Sequence, residues 1–283
     1  MQADAITMVD DLWFGEGPRY RDGHLFVSDQ HQRNVIAVDG TGTQRVVARV
    51  PGGPSGLGWL PDGSLLIVSM HDRKVLALRD GVLEVHADLS AIATGHANDM
   101  VVDADGRAYV GNFGFDMDGG AAPQPAQLAL VTPDGQARAV AKDLQFPNGM
   151  VITDDGRTLV VAESFASRLT AFSIDPATGE LGERRLWAQL PGPPDGICLD
   201  AEGCIWAAHP VPPGGYLRVA EGGEVRGRVD TEPGWVGIAC ILGGPERRSL
   251  FMLDATTFDP KKTSRGTSRL RVVDVEVSGA GFP

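Results

Sequence analysis

Gly149-Met-Val-Ile-Thr-Asp-Asp155-Gly156-Arg-Thr-Leu-Val-Val161 holds an apolar run, an Asp-Gly turn and a second apolar run. Asp-Gly between strand-like runs is a hairpin signal, because a tight turn needs positive φ and glycine supplies it without a Cβ clash. The same unit recurs around Asp22-Gly23, Asp62-Gly63, Asp105-Gly106 and Glu202-Gly203, with a looser sixth copy over 237–253. The residues just ahead of the six copies, at positions 16, 55, 98, 148, 195 and 236, are 39, 43, 50, 47 and 41 residues apart, a mean of 44. That is the length of a four-stranded propeller blade, and six such periods take up 264 of the 283 residues. The sequence therefore predicts an all-β fold, a six-bladed β-propeller with four-stranded blades, as a single domain over residues 1–283. A pair of β-sandwiches would also supply short strands, but not the regular period. Ring closure is expected between Leu270–Val277 and Ile6–Phe14, since propellers commonly pair the two chain ends in one blade. Helical periodicity is absent except for a short helical turn expected within 85–97.

Composition sets further bounds. Hydrophobic residues make up 42% and charged residues 22%, ordinary values for a globular chain with a large core. A net charge of −12 disfavours phosphate backbones and anionic lipid, so neither nucleic acid nor membrane is expected as a partner. The three cysteines, Cys198, Cys204 and Cys240, lack CxxC spacing and sit in apolar stretches, which reads as buried reduced thiols. No secretory leader pattern is seen at Met1–Thr7 and no apolar run is of spanning length. A cytoplasmic location, as a monomer or weak homo-oligomer, is the expectation.

In a propeller the first strand of each blade lines the channel, so equivalent positions form a ring. Here the ring reads Glu16, Ser55, Asn98, Asn148, Asp195 and Val236. Asn and Asp often precede strands for local hydrogen bonding. Four such side chains on one ring are a different matter, because two carboxylates across a narrow channel repel unless a cation lies between them. All the donors are oxygen, which suits a hard ion. One divalent cation is expected, Ca²⁺ first, with Mn²⁺, Mg²⁺ or Zn²⁺ as alternatives.

With Glu16-Gly-Pro, Phe146-Pro-Asn148-Gly-Met and Pro194-Asp195-Gly-Ile in hand, nearly the whole chain resembles the gluconolactonase and regucalcin (senescence marker protein) family of six-bladed propellers. The resemblance implies that Glu16, Asn148 and Asp195 bind a catalytic divalent metal. Likeness to the related diisopropyl fluorophosphatase adds Asn98 as a fourth ligand, in a segment that also meets substrate. Sugar lactonases of the family usually carry arginine two residues before that asparagine, where this chain has His96. The following segment, Asn112–Met117 with Phe113, is rather apolar and is expected at the same mouth. These departures point to a substrate less polar than a sugar lactone, with His96, Asn98 and Phe113 contacting it.

The expected activity is that of a metal-dependent lactonase, a carboxylic ester hydrolase opening a small lactone or ester by metal-activated water. Asp195 is the expected general base, and His96 a group that assists proton transfer or orients the carbonyl. A phosphotriester hydrolase on the same metal and a non-catalytic ligand-binding propeller are the competing readings. No nucleophile elbow, P-loop or dinucleotide motif competes with them. Asp29, Glu163, His209 and Asp254, at the ends of second strands, are expected to cap hairpins. Residues 259–265 are expected to form a solvated loop.

Overall fold

The computed structural model describes residues 5–281. Strand β1 (Ile6–Leu12) leads into a first blade of β2 (Gly15–Arg21), β3 (His24–Asp29), β4 (Asn34–Val38) and β5 (Gln44–Arg49). The second blade is β6 (Pro54–Trp59), β7 (Leu65–Ser69), β8 (Lys74–Arg79) and β9 (Val82–Asp88). The third is β10 (Ala97–Val102), β11 (Ala108–Asn112), β12 (Ala126–Val131) and β13 (Ala137–Leu144). The fourth is β14 (Pro147–Ile152), β15 (Thr158–Glu163), β16 (Arg168–Ile174) and β17 (Leu181–Gln189). The fifth is β18 (Ile197–Leu199), β19 (Ile205–Ala208), β20 (Tyr216–Val219) and β21 (Val225–Val229). The sixth is β22 (Val236–Gly243), β23 (Ser249–Ala255) and β24 (Ser268–Asp274), with β1 as its outer strand.

Each blade is an antiparallel meander, so the Asp-Gly units are the hairpins between first and second strands, as their composition predicts. β1 pairs antiparallel with β24, Ile6 opposite Val272 and Leu12 opposite Ser268, so the chain ends close the ring. The expected helical turn is a single turn at 89–93, closed by Ala93 N–H to the Leu89 carbonyl at 2.8 Å, because residues 82–88 are committed to β9. The one helical element among the described residues is a three-residue 3-10 turn, Ser164–Ala166. No helix is long and apolar enough to cross a membrane among the described residues.

Inner strands are mostly buried, β10 and β14 at every residue, whereas outer strands such as β9 are mostly exposed, with Ala87 its one buried residue. Inner strands also converge so tightly that five of the six anchors are followed by glycine, Asp99 on the third blade being the exception. A Cβ on Gly149 would lie 2.6 Å from the Ile197 nitrogen, and one on Gly196 would lie 2.4 Å from the Ala239 Cβ. Trp206 packs in the core, while Trp59 lies against Phe26 at 5.0 Å and under the Arg21 guanidinium at 5.0 Å.

Two side chains that end second strands, Asp29 and Glu163, anchor the loop that enters their own blade. Asp29 accepts from the Trp13 and Phe14 amides, both at 3.0 Å, and Glu163 accepts from the Gln145 amide at 2.7 Å. Fully buried Glu163 also accepts from Arg168 at 2.9 and 3.0 Å, from Arg184 at 3.1 Å and from Thr170. Burial alone would raise its carboxyl pKa, but the Arg168, Thr170 and Gln145 hydrogen bonds outweigh it and hold the pKa below the usual value. A depressed folded-state pKa stabilises the native state above the unfolded value, and that contribution is lost as pH falls through the folded pKa. Glu163→Gln should therefore cost roughly 2 kcal/mol at neutral pH, with the gap to the parent chain narrowing as the medium is acidified below the ordinary glutamate range. Denaturant melts across a pH series check this; a gap independent of pH would contradict it.

Candidate functional site

Five of the six anchor residues fall at the first or second position of an inner strand, and Asp195 lies two residues before β18. Glu16, Asn98, Asn148 and Asp195 are all buried, at 5–8% exposure, on four different blades. The Asn98 Nδ2 donates to the Asn148 Oδ1 and to the Pro147 carbonyl, each at 3.2 Å, so blades three and four meet through the two amides. Asn148 Nδ2 donates to Ser164 Oγ at 3.3 Å, and Ser164 donates to the Pro194 carbonyl at 2.7 Å, which carries the chain of contacts to Asp195. His209 completes the pattern, its Nδ1 lying 3.2 Å from the Pro193 carbonyl.

The remaining two anchors do other work. Ser55 accepts weakly from Gln30 at 3.4 Å and its carbonyl accepts from Ser28 at 2.6 Å. Val236 packs with Phe14, Ile238 and Ala255.

Electrostatically the ring is under-compensated. Burial, then the Asp195 and Asp99 carboxylates, push the Glu16 pKa well above the usual value, against the Gly17 amide and Arg19. Burial and Asp99 raise Asp195 to about 8, with Asn148 pulling the other way. The Asp195 Oδ1 is buried without a hydrogen-bond partner. Arg19 is the cation here, donating to Asp99 at 3.0 Å and to the Met100 carbonyl. Three carboxylates against one guanidinium leave a formal −2 when all are ionised, which a divalent cation among oxygen donors would balance. The orphaned oxygen and the all-oxygen set fit such an ion.

Asp99 and Arg19 were not singled out by sequence. The signal for Asp99 is that the anchors are followed by glycine in every blade but the third, where Asp99 stands instead.

Above the ring, side chains from successive blades form an arc of rings. His71 and His96 meet edge to face at 4.3 Å, and His96 lies 5.6 Å from Phe113. Phe113 stacks on Phe146 at 4.6 Å, and Phe146 on Phe165 at 4.6 Å, with Phe115 against both of the latter. On the first blade, Phe14 stacks on His31 at 4.8 Å, and Phe258 and Thr263 from the 258–265 segment reach the same pair. The structure brings His96 and Phe113 together, and adds His71, Phe146 and Phe165 to the same arc. Their signal was positional: His31, His71 and Phe165 each stand two residues after the end of a second strand, and Phe113 one residue after.

Residues 14–256 match the sequence model of the family described as SMP-30/Gluconolactonase/LRE-like region. A pentonolactonase of Haloferax volcanii is 29% identical over 197 residues, 69% of this chain and 64% of its own. A regucalcin of Danio rerio is 32% identical over 111 residues, 38% of this chain and 36% of its own. The chain thus spans less than two thirds of these relatives' length. Among solved structures, a calcium-binding regucalcin of Agrobacterium tumefaciens superposes with a TM-score of 0.81 at 22% identity, covering 100% of this chain and 97% of its own. A gluconolactonase of Xanthomonas campestris gives 0.77 at 23% identity, covering 96% and 89%.

If the ring is a cation site, calcium binding followed by calorimetry should weaken by at least about tenfold in Asp195→Asn, since the amide keeps an oxygen donor but removes one of the charges that balance the ion. Glu16→Gln should act in the same direction. Unchanged affinity in both variants would remove the ring as the site.

Proposed function

Because the chain belongs to the SMP-30/gluconolactonase/LRE-like family, we propose that it is a metal-dependent hydrolase of small lactones, working at the Glu16, Asn98, Asn148 and Asp195 ring. The observation that carries this reading is the buried, partnerless Asp195 Oδ1 in a channel with surplus negative charge. Ca²⁺ is the ion we assign, as oxygen donors and a formal −2 suit it. When bound, the cation supplies Lewis-acid polarisation of the ester carbonyl and acidifies the attacking water.

The chain's own groups do the rest. Asn98 and Asn148 hold each other through their amides and so fix the two neutral donors. Asp195, held through Pro194 by Ser164, accepts the proton of the attacking water. The new carbon–oxygen bond forms as the ring carbon–oxygen bond breaks, and the proton passes from Asp195 to the departing alkoxide, giving a hydroxy acid. His96, half-buried with its Nδ1 unpartnered, is the group we assign to orienting the carbonyl.

The phenyl rings of Phe113, Phe146 and Phe165 support a substrate with an alkyl or aryl substituent over a sugar lactone. They offer a stacked apolar face where hydroxyls would lose water without gaining partners.

The test is chelation, metal add-back and a panel of sugar, alkyl and aryl lactones with phosphotriesters alongside. Turnover should return with metal and fall by on the order of 10²–10⁴ in kcat for Asp195→Asn. Phe113→Ala should lower kcat/KM for aryl lactones by about tenfold or more, through KM, and leave sugar lactones nearly unaffected. Preference for sugar lactones would overturn the substrate class, and turnover of phosphotriesters alone would overturn the lactonase reading.

A further inference from the structure

The arc of rings contains a second constellation with different chemistry. His71 follows β7 on the second blade, His96 precedes β10 on the third, and Asp118 lies in the loop after β11. One donor atom from each lies within 4.8 Å of the others. His96 Nε2 and Asp118 Oδ2 are already 3.1 Å apart, about the spacing of two ligands on one ion with bonds near 2.0–2.1 Å.

The two imidazoles are held in register by the backbone. The Ala97 amide donates to the Met70 carbonyl at 3.1 Å, so the residue after one histidine is bonded to the residue before the other across the blade boundary. The His71 amide donates to the Gly52 carbonyl at 2.9 Å, and the His96 carbonyl accepts from the Phe113 amide at 2.9 Å. Gly95 permits this path, since a Cβ there would lie 2.3 Å from the Phe115 carbonyl oxygen. The imidazole of His71 makes no hydrogen bond among the described residues, which leaves it free to ligate. Asp118 sits in a loop closed on itself by the Gly120 amide to the Met117 carbonyl, at 3.0 Å, and by the Gly119 amide to Asp116, at 2.9 Å.

We propose that His71, His96 and Asp118 form a second cation site, at the rim of the channel, for a borderline divalent ion such as Zn²⁺, Co²⁺ or Ni²⁺. Two imidazoles and one carboxylate suit these ions, whereas the oxygen-only ring below suits Ca²⁺. Three protein ligands leave a fourth position open to water. The two sites differ in donor hardness, so each can be filled without displacing the ion of the other. An ion at the rim also engages His96, so excess zinc would withdraw that side chain from substrate. The site itself stands whether or not the ring below is hydrolytic.

The test titrates Co²⁺ into tag-free full-length protein held in excess Ca²⁺, read by the visible absorption of bound cobalt and by calorimetry. One equivalent should bind despite the calcium and should still bind in Asp195→Asn. Affinity should fall by more than about 100-fold in His71→Ala, since even loss of a partner behind a ligand costs 10–100-fold. His71 is exposed, so this variant is expected to fold, which a thermal melt verifies. Displacement of cobalt by calcium, unchanged binding in His71→Ala, loss of binding in Asp195→Asn, or no cobalt binding at all would each overturn the proposal.

Discussion

Everything at the channel turns on the burial of Glu16, Asp195 and Asp99 with Arg19 as their single guanidinium neighbour. Carboxylates removed from water stay ionised only if charge or hydrogen bonds replace their hydration. Glu16 has one such bond, from the Gly17 amide at 2.9 Å, and the Asp195 Oδ1 has none. The fold could have avoided this arrangement with apolar anchors, as it does at Val236. Keeping acid at two of the six positions, with amides at two more, leaves negative charge that the neighbouring groups do not balance.

The same packing that builds the propeller sets the geometry of that ring. Glycine follows the anchors because neighbouring inner strands leave no room for a Cβ, and this close approach brings side chains from separate blades within hydrogen-bond reach. Second-strand ends then fix the entering loops: Asp29 before Glu16, Glu163 before Asn148 and His209 before Asp195. Stability and site geometry are therefore carried by the same hydrogen bonds, and a change at Glu163 acts on both.

Much of this was legible from sequence because a propeller repeats. The period of 44 residues set the blade count, and the hairpin turns set which residues share the ring. The rim was less legible. Its rings come from segments outside the strands, and Asp118 lies in the loop 113–125, longer than its counterparts in other blades, so no period locates it. Asp99 was hidden for another reason. Its role follows from being the one side chain at a position otherwise held by glycine, and that matters only once the crowding behind the anchors is known. The helical turn expected near 85–97 shrank to a single turn because β9 takes the first part of that segment.

Phe146 joins the ring and the rim. It stands two residues before Asn148, with φ of 58°, in the left-handed region that bulky residues avoid. Its surroundings hold it there: the Gln145 and Phe146 carbonyls accept from the Phe165 and Ser164 amides, at 3.2 and 3.1 Å. Strain of this kind, of order 1–3 kcal/mol, persists where neighbouring contacts over-determine the backbone. Here it places a phenyl ring between Phe113 and Phe165 while leaving Asn148 in the oxygen ring. The imidazoles of His71 and His96 and the phenyls of Phe113, Phe146 and Phe165 form one continuous arc, carried by the second to fourth blades. The rim thus gives the channel a sidedness that the pseudo-symmetric blades lack.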